Sequence, residues 1–224
     1  MNDVRGATHP PILVAIDGPA GSGKSSVSRE AAARLDFGIL DTGAAYRALA
    51  WAARECGRDL DDEADLIELL GAWSYSTSLR GEPRVVVDLP DRAAGIDVTT
   101  AIRHPEISSQ VSRVSKHPLV RDALNAMFLR LVDESGLPGV VIEGRDITTV
   151  VAPDAPVRIL LTATPEVRAS RRAGELPGAS AETVLRDLQA RDAKDALVVD
   201  FHHAAPGVTL IDRSEEHTSE LQSH

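Results

Sequence analysis

Continuous apolar runs alternate along this chain with segments whose apolar residues recur every three or four positions. Ile12-Leu-Val-Ala-Ile-Asp17 is a continuous run and reads as a strand buried on both faces, the kind found in parallel sheets. It leads into Gly18-Pro-Ala-Gly-Ser-Gly23, after which the segment from Lys24 to Leu35 sets Val27, Ala31 and Leu35 four apart on one helical face. A second short strand, Phe37 to Leu40, ends at Asp41-Thr42. Either residue can cap a following helix that turns Tyr46, Leu49 and Ala53 inward. Helical spacing returns at Val120, Leu124, Met127, Phe128 and Leu131, and buried-strand runs recur from Val140 to Glu143 and from Val157 to Thr162. Thr164-Pro165-Glu166 is a helix start, and Val208 to Asp212 a last strand. Strands alternating with helices predict an α/β fold, a parallel sheet with helices on both faces.

Between Ser74 and Val98 the pattern shortens. Ser-Tyr-Ser-Thr-Ser-Leu and Arg84-Val-Val-Val-Asp88, broken by Gly81-Glu-Pro and Pro90-Asp, read as antiparallel strands with tight turns. The expectation is a β subdomain inserted over 74–105, with the core formed by 10–73 and 106–212. Residues 213–224 are polar with one apolar residue, so they offer no face to bury. They resemble the translated read-through of a sequencing adapter. An unstructured, non-native tail is expected there, in place of a C-terminal helix.

A chain of 224 residues suits one domain with insertions, or at most two small ones. Apolar residues at 43% and charged residues at 26% exclude wholesale disorder and coiled coil. With 34 acidic against 24 basic residues the net charge is −10, which argues against coating nucleic acid or an anionic membrane. Any anionic ligand must therefore meet a local cluster of arginine and lysine. One cysteine, Cys56, excludes an internal disulfide. No apolar run reaches membrane-spanning length and the N-terminal residues lack a signal-peptide plan, so the cytoplasm is the expected compartment.

Gly18-Pro19-Ala20-Gly21-Ser22-Gly23-Lys24-Ser25, followed by Ser26, fits G-x-x-x-x-G-K-[ST] without a mismatch and sits between a buried strand and a helix. In such a loop glycines let backbone N–H groups point at phosphate oxygens, and the helix adds its positive end. Lys24 would bridge the β and γ phosphates of a nucleotide and the Ser25 hydroxyl would hold Mg²⁺. A glycine-rich turn with a surface lysine is the plain alternative. The loop alone does not separate kinases from GTPases, ATPases and motors. No N-K-x-D base-reading segment is present, which weighs against a GTPase. Instead arginines recur toward the carboxyl ends of the expected strands and beyond: Arg47, Arg121, Arg145, Arg168, Arg172 and Arg191. That edge of an open α/β sheet is where ligands bind, so a second, phosphorylated substrate explains them economically. A solvated surface charge remains the alternative for about half of them.

Four separated segments agree in order and spacing with one family. Ile16 to Lys24, Leu40-Asp-Thr-Gly-Ala-Ala-Tyr-Arg47, Glu143-Gly-Arg-Asp146 with Val150-Val-Ala-Pro-Asp-Ala-Pro156, and Arg191-Asp-Ala-Lys-Asp195 resemble bacterial cytidylate kinase, over about residues 12 to 212. The resemblance implies a P-loop NTPase sheet, a monophosphate-binding insertion matching the β subdomain, and a mobile lid over about 168–195. It also implies ATP and Mg²⁺ as cofactors and CMP or dCMP as acceptor, with no nucleic-acid or membrane partner. A monomer is expected. By the same resemblance Thr42, Arg47 and Arg145 contact the acceptor phosphate, and Ser112, Arg121 and Asp146 read the cytosine. Arg191 bridges phosphates in the closed lid and Asp195 reaches the ribose hydroxyls; Lys24, Arg145 and Arg191 are the residues expected to act in catalysis. Two departures stand out. Many members carry an arginine where this chain has Val198, leaving that contact absent or supplied by Lys194 or Arg172. Ala45 replaces a bulkier residue.

The acceptor is already an ionised phosphate, so alignment and charge neutralisation suffice and no general base is nominated. Asp17 and Glu143, at the ends of buried strands, are open to two roles, water-mediated partners of Mg²⁺ or cap and turn residues. Another small-substrate kinase of this fold, acting on AMP, dephospho-coenzyme A or shikimate, is the nearest rival. A nucleotide-dependent switch without turnover is the rival from another class.

Overall fold

The computed structural model describes residues 10–92, 94–175, 180–195 and 203–215. In chain order these contain β1 (Ile12–Asp17), α1 (Lys24–Leu35), β2 (Gly38–Asp41), α2 (Thr42–Glu55), α3 (Glu63–Ala72), β3 (Ser74–Thr77), β4 (Val85–Asp88) and β5 (Ile96–Asp97). Then come α4 (Pro105–Ser108), α5 (Val111–Ser115), α6 (Pro118–Asp133), β6 (Gly139–Gly144), β7 (Val157–Thr162), α7 (Pro165–Glu175), α8 (Ala181–Asp195) and β8 (Thr209–Asp212). Among the described residues five strands form a sheet in the order β2-β6-β1-β7-β8, every pair parallel. The continuous apolar runs thus form the expected strands; β1, β2 and β6 are largely buried, whereas β7 is exposed at its start and β8 along its length.

The strand register aligns the carboxyl ends. Asp17 stands level with Gly144 and with Leu160, and Asp41 level with Glu143, so the ends of four strands come together at one edge. β2 lies to one side of β1, and β7 and β8 lie to the other. The chain therefore reverses its sense of winding at the end of β1, where open α/β sheets form their ligand crevice.

α1 differs from the expected packing. Its buried face carries Ser28 and Ala32, and Leu35 is 53% exposed. The reason is local: Asp36 closes the helix in a left-handed conformation, and the Phe37 N–H bonds to the Ala32 carbonyl at 2.8 Å. The returning chain brings Phe37, not Leu35, into the cluster of Val14, Ile16, Ala32, Val141 and Leu161. Gly139 makes room for that ring, since a Cβ there would meet it at 2.4 Å.

α2 is buried nearly all round. Asp41 caps it by accepting from the Ala44 N–H at 3.1 Å, which settles which of Asp41 and Thr42 is the cap. Ala45, Ala48, Leu49, Ala52 and Ala53 have essentially no exposure. Small residues on both sides let α2 sit between the parallel sheet and the antiparallel sheet β3-β4-β5. Tyr75, Val85, Val87 and Val98 of the small sheet share one cluster with α2, with Val120, Leu124 and Phe128 of α6 and with Ile142 of β6. The expected insertion is thus a separate sheet seated in the common core.

Sequence periodicity missed α3, α4 and α5. For α3 the signal was present: Asp62 accepts from Ala64 N at 2.9 Å, and Leu66 and Leu69 are its buried pair. The tail also differs from expectation at its start. Arg213 N–H bonds to the Thr162 carbonyl at 2.8 Å, extending the β7–β8 ladder, and Ser214 Oγ accepts from Thr164 N at 2.9 Å. Arg213 is held by its backbone and Ser214 by its hydroxyl, neither needing an apolar face.

Candidate active site

The loop from Gly18 to Gly23 is shaped by two close approaches. A Cβ at Gly18, whose φ is 154°, would meet the Leu161 carbonyl oxygen at 2.0 Å, and one at Gly21, with φ 76°, would meet the Arg168 carbonyl oxygen at 2.9 Å. Only glycine fits either place. Gly23 is the left-handed N-cap of α1 and supplies no side-chain cap, and the first turn holds no acid. The first N–H groups of α1 are thereby left for an external anion.

Side chains around the loop bond within the chain. Lys24 Nζ donates to the Pro19 carbonyl at 2.9 Å, folded over the loop's own backbone. The Ser25 hydroxyl donates to Glu143 Oε2 at 2.9 Å, while the Ser22 hydroxyl is buried without a partner and Ser26 is exposed. Glu143 is buried at the end of β6. Desolvation pushes its pKa up, the Asp41 charge adds to this, and Lys24 and the Ser25 hydroxyl pull it back. A hydroxyl and a carboxylate beside a phosphate loop are the oxygen donors a hard divalent cation takes.

Next to this loop the expected acceptor residues gather on the ends of β2 and β6. Thr42 Oγ1 donates to the Glu143 carbonyl at 2.8 Å, close enough that a Cβ on Gly144 would sit 2.5 Å from that hydroxyl. Arg47 Nη2 pairs with Asp41 Oδ2 at 2.8 Å, and its buried Nε has no partner. Arg145 Nη1 donates to the Gly18 carbonyl at 2.6 Å, tying the segment after β6 to the phosphate loop. Arg121, from α6, and Asp146 form an ion pair largely out of solvent. Burial raises the Asp146 pKa, Arg121 lowers it, and the Asp17 charge raises it again. Arg145, Asp146, Asp17 and His203 line a pocket of about 150 Å³. Ser112 is half-buried on α5, which packs against α2 and α6.

Asp17 holds the backbone that follows Asp146. Oδ1 accepts from Ile147 N at 2.8 Å, and Oδ2 accepts from Thr148 N at 2.8 Å and Thr148 Oγ1 at 2.6 Å. Both oxygens hold the short helix Ile147–Val151, which begins directly after Asp146. Its backbone folds toward Asp17 because a buried carboxylate needs donors, and three are at hand. Glu143, by contrast, faces the phosphate loop through Ser25.

The side chains of Arg191, Lys194 and Asp195 lie outside the described residues, as does Val198. Two residues gained places that the sequence did not assign. Arg168 reaches the loop, donating from Nη1 to the Ala20 carbonyl at 3.1 Å. Arg213, read as tail, sets a guanidinium nitrogen 3.0 Å from where a Gly23 Cβ would stand. The buried neighbourhood of Arg168 left little local signal, because two of its partners, Ala20 and Asp192, come from elsewhere in the chain.

The sequence model of the family described as cytidylate kinase matches residues 14–223. The cytidylate kinase of Streptomyces avermitilis is 40% identical to this chain over 222 residues, covering 99% of this chain and 91% of that protein. The cytidylate kinase of Cutibacterium acnes is 42% identical over 205 residues, 90% of this chain and 88% of that one. That of Rhodococcus jostii is 43% identical over 211 residues, 91% and 88% of the two chains.

Proposed function

The chain belongs to the cytidylate kinase family, nucleoside monophosphate kinases, and from that premise we propose that it transfers the γ-phosphoryl group of ATP to CMP and dCMP. The products are CDP and dCDP, and the reaction belongs to pyrimidine nucleotide metabolism. One observation carries the reading: the Arg145 guanidinium bonds to Gly18 of the phosphate loop while its neighbour Asp146 pairs with Arg121. A donor cradle and a base-reading pair are therefore adjacent through two consecutive residues.

Uncapped N–H groups at the start of α1 and the Lys24 ammonium bind the donor phosphates. Ser25, with Glu143 through water, would hold a Mg²⁺ ion, which when bound offsets charge on the β and γ phosphates. Thr42, Arg47 and Arg145 orient the acceptor phosphate, and Arg191 joins them from α8. Asp195 contacts the acceptor ribose. The acceptor oxygen attacks in line, and its existing charge removes the need for a base. The small sheet within 74–105 serves the monophosphate, and 168–195 closes over the donor and excludes competing water. Among the described residues no helix is long and apolar enough to cross a membrane; we place the enzyme in the cytoplasm as a monomer.

Coupled ADP-release assays over CMP, dCMP, UMP, AMP, shikimate and dephospho-coenzyme A test the reading. Turnover should be fastest with CMP and dCMP and near zero without acceptor. Preference for AMP or shikimate would assign another small-substrate kinase, and acceptor-independent hydrolysis would point to a switch.

A further inference from the structure

Arg168 lies in the first turns of α7 and is 4% exposed, unusual for a charged side chain. Three acceptors share its guanidinium. Nε donates to the Ala163 carbonyl at 3.1 Å, Nη1 to the Ala20 carbonyl at 3.1 Å, and Nη2 to Asp192 Oδ2 at 2.6 Å. These acceptors belong to three separate elements, the turn after β7, the phosphate loop and α8. Gly21, the residue after Ala20, is itself packed onto the Arg168 backbone.

Apolar contact already pairs α7 with α8, through Ala169, Val184 and Leu188, with Ala20 packed against them. Such contact has no direction; the helices could slide by a fraction of a turn at small cost. The planar guanidinium fork does have direction, and a lysine in its place could not meet three acceptors in one plane. Asp192 lies in the last turn of α8, where a carboxylate opposes the helix dipole and caps nothing, and its Oδ1 is buried without a partner. Its other oxygen, Oδ2, is committed to Arg168. Asp192 also directly follows Arg191, so the pair fixes the turn of α8 that carries Arg191.

We propose that Arg168 is a positioning residue that links the phosphate loop to the lid helix. By holding the Ala20 carbonyl and the Asp192 carboxylate on one guanidinium, it makes the loop shape that receives donor phosphates and the seating of the Arg191 turn a single arrangement. The inference rests on the kinase reading and adds to it a coupling between donor binding and lid position. Arg168 itself need touch neither substrate.

Asp192→Asn is the informative variant, because it keeps size and one acceptor oxygen while removing the charge that selects Arg168. The expected result is a rise of about tenfold in KM for ATP with a fall in kcat, and a rise in KM for CMP as well, because the turn that Asp192 seats carries Arg191 and leads to Asp195, both assigned to the acceptor. A purely structural role would lower Tm and folded yield yet leave kcat per folded molecule and both KM values unmoved. Arg168→Lys should shift the same constants in the same direction. The double variant should be no worse than the more affected single one, because both break one link.

A second measurement needs no turnover. Hydrogen exchange with a non-hydrolysable ATP analogue alone should protect residues 18–26 and α8 together in the parent, and residues 18–26 without α8 in Asp192→Asn. Joint protection that survives in the variant, or unchanged ATP kinetics, overturns the linkage. Failure of the parent to phosphorylate CMP would overturn the kinase reading instead and leave the exchange result standing by itself.

Discussion

Ser25 and Glu143 are joined by a hydrogen bond of 2.9 Å from the hydroxyl to Oε2, across 118 positions of sequence. The bond closes the gap between the first turn of α1 and the end of β6. Glu143 is 3% exposed, and burial raises its pKa above the ordinary glutamate value. A carboxyl raised in this way holds its proton more tightly folded than unfolded. Its contribution to stability is therefore present at acid pH and lost as pH rises from the unfolded value through the folded one. Glu143→Gln should flatten the profile of Tm against pH across that window and leave the fold intact. The same variant should need more Mg²⁺ for half-maximal rate and lose about 10- to 100-fold in kcat. An unchanged Mg²⁺ dependence would remove Glu143 from the metal site.

Lys24→Ala should reduce kcat by about 100- to 1,000-fold or more, because its ammonium acts chiefly on charge that builds as the phosphoryl group moves. The hydrogen bond it gives up, to the Pro19 carbonyl, contributes about 1 kcal/mol, so Tm should change little. Steady-state kinetics beside a thermal melt check both. Near-normal kcat would take the donor site away from this loop.

The parallel strands were legible because strands buried on both faces are written as continuous apolar runs, and the run from Val140 to Glu143 falls inside β6, buried throughout. Gly18 to Ser25 was legible because the spacing itself is the chemistry. The face of α1 was not. Leu35 fits the helical period, yet the left-handed turn at Asp36 hands its place to Phe37. Nor could the sequence show which backbone Asp17 holds, since its donors lie 130 and 131 positions away. Arg168 was visible only as one arginine among several; its partners at Ala20 and Asp192 stand 148 and 24 positions off. Contacts made by the folded backbone, such as Arg213 with Thr162, leave no mark in residue type.

Asp17→Asn tests the cap. The amide would turn an NH₂ toward at least one of the donors from Ile147 and Thr148, leaving buried groups unpaired at a cost of about 2 to 4 kcal/mol. Tm should drop by roughly 5 to 15 °C. Turnover per folded molecule should fall less than in Lys24→Ala, since Asp17 acts by holding the turn after Asp146. An unmoved Tm with a weakened response to Mg²⁺ would assign Asp17 to the metal and remove the cap.

Selectivity for cytosine should depend on the Arg121–Asp146 pair, for reasons of hydrogen-bond sense. Cytosine presents an N4 amino donor beside the N3 and O2 acceptors, so a carboxylate for the donor and a guanidinium for the acceptors is a complementary set. The pair is largely withdrawn from water, with Arg121 holding Asp146 toward its charged form against the pull of burial. Uracil would set O4 against the carboxylate, acceptor to acceptor, and groups left unpaired in a closed site cost about 1 to 3 kcal/mol each. Asp146→Asn supplies an amide that can donate to O4. It should therefore lower kcat/KM for CMP by about 10- to 100-fold while changing UMP much less, narrowing the gap between them. The Tm of this variant should change little, because the amide oxygen still accepts from Arg121 while a desolvated charge is removed. Equal loss on both nucleotides, measured side by side, would mean that Asp146 serves to orient Arg121 and the turn at Ile147, and that the cytosine is read by other groups.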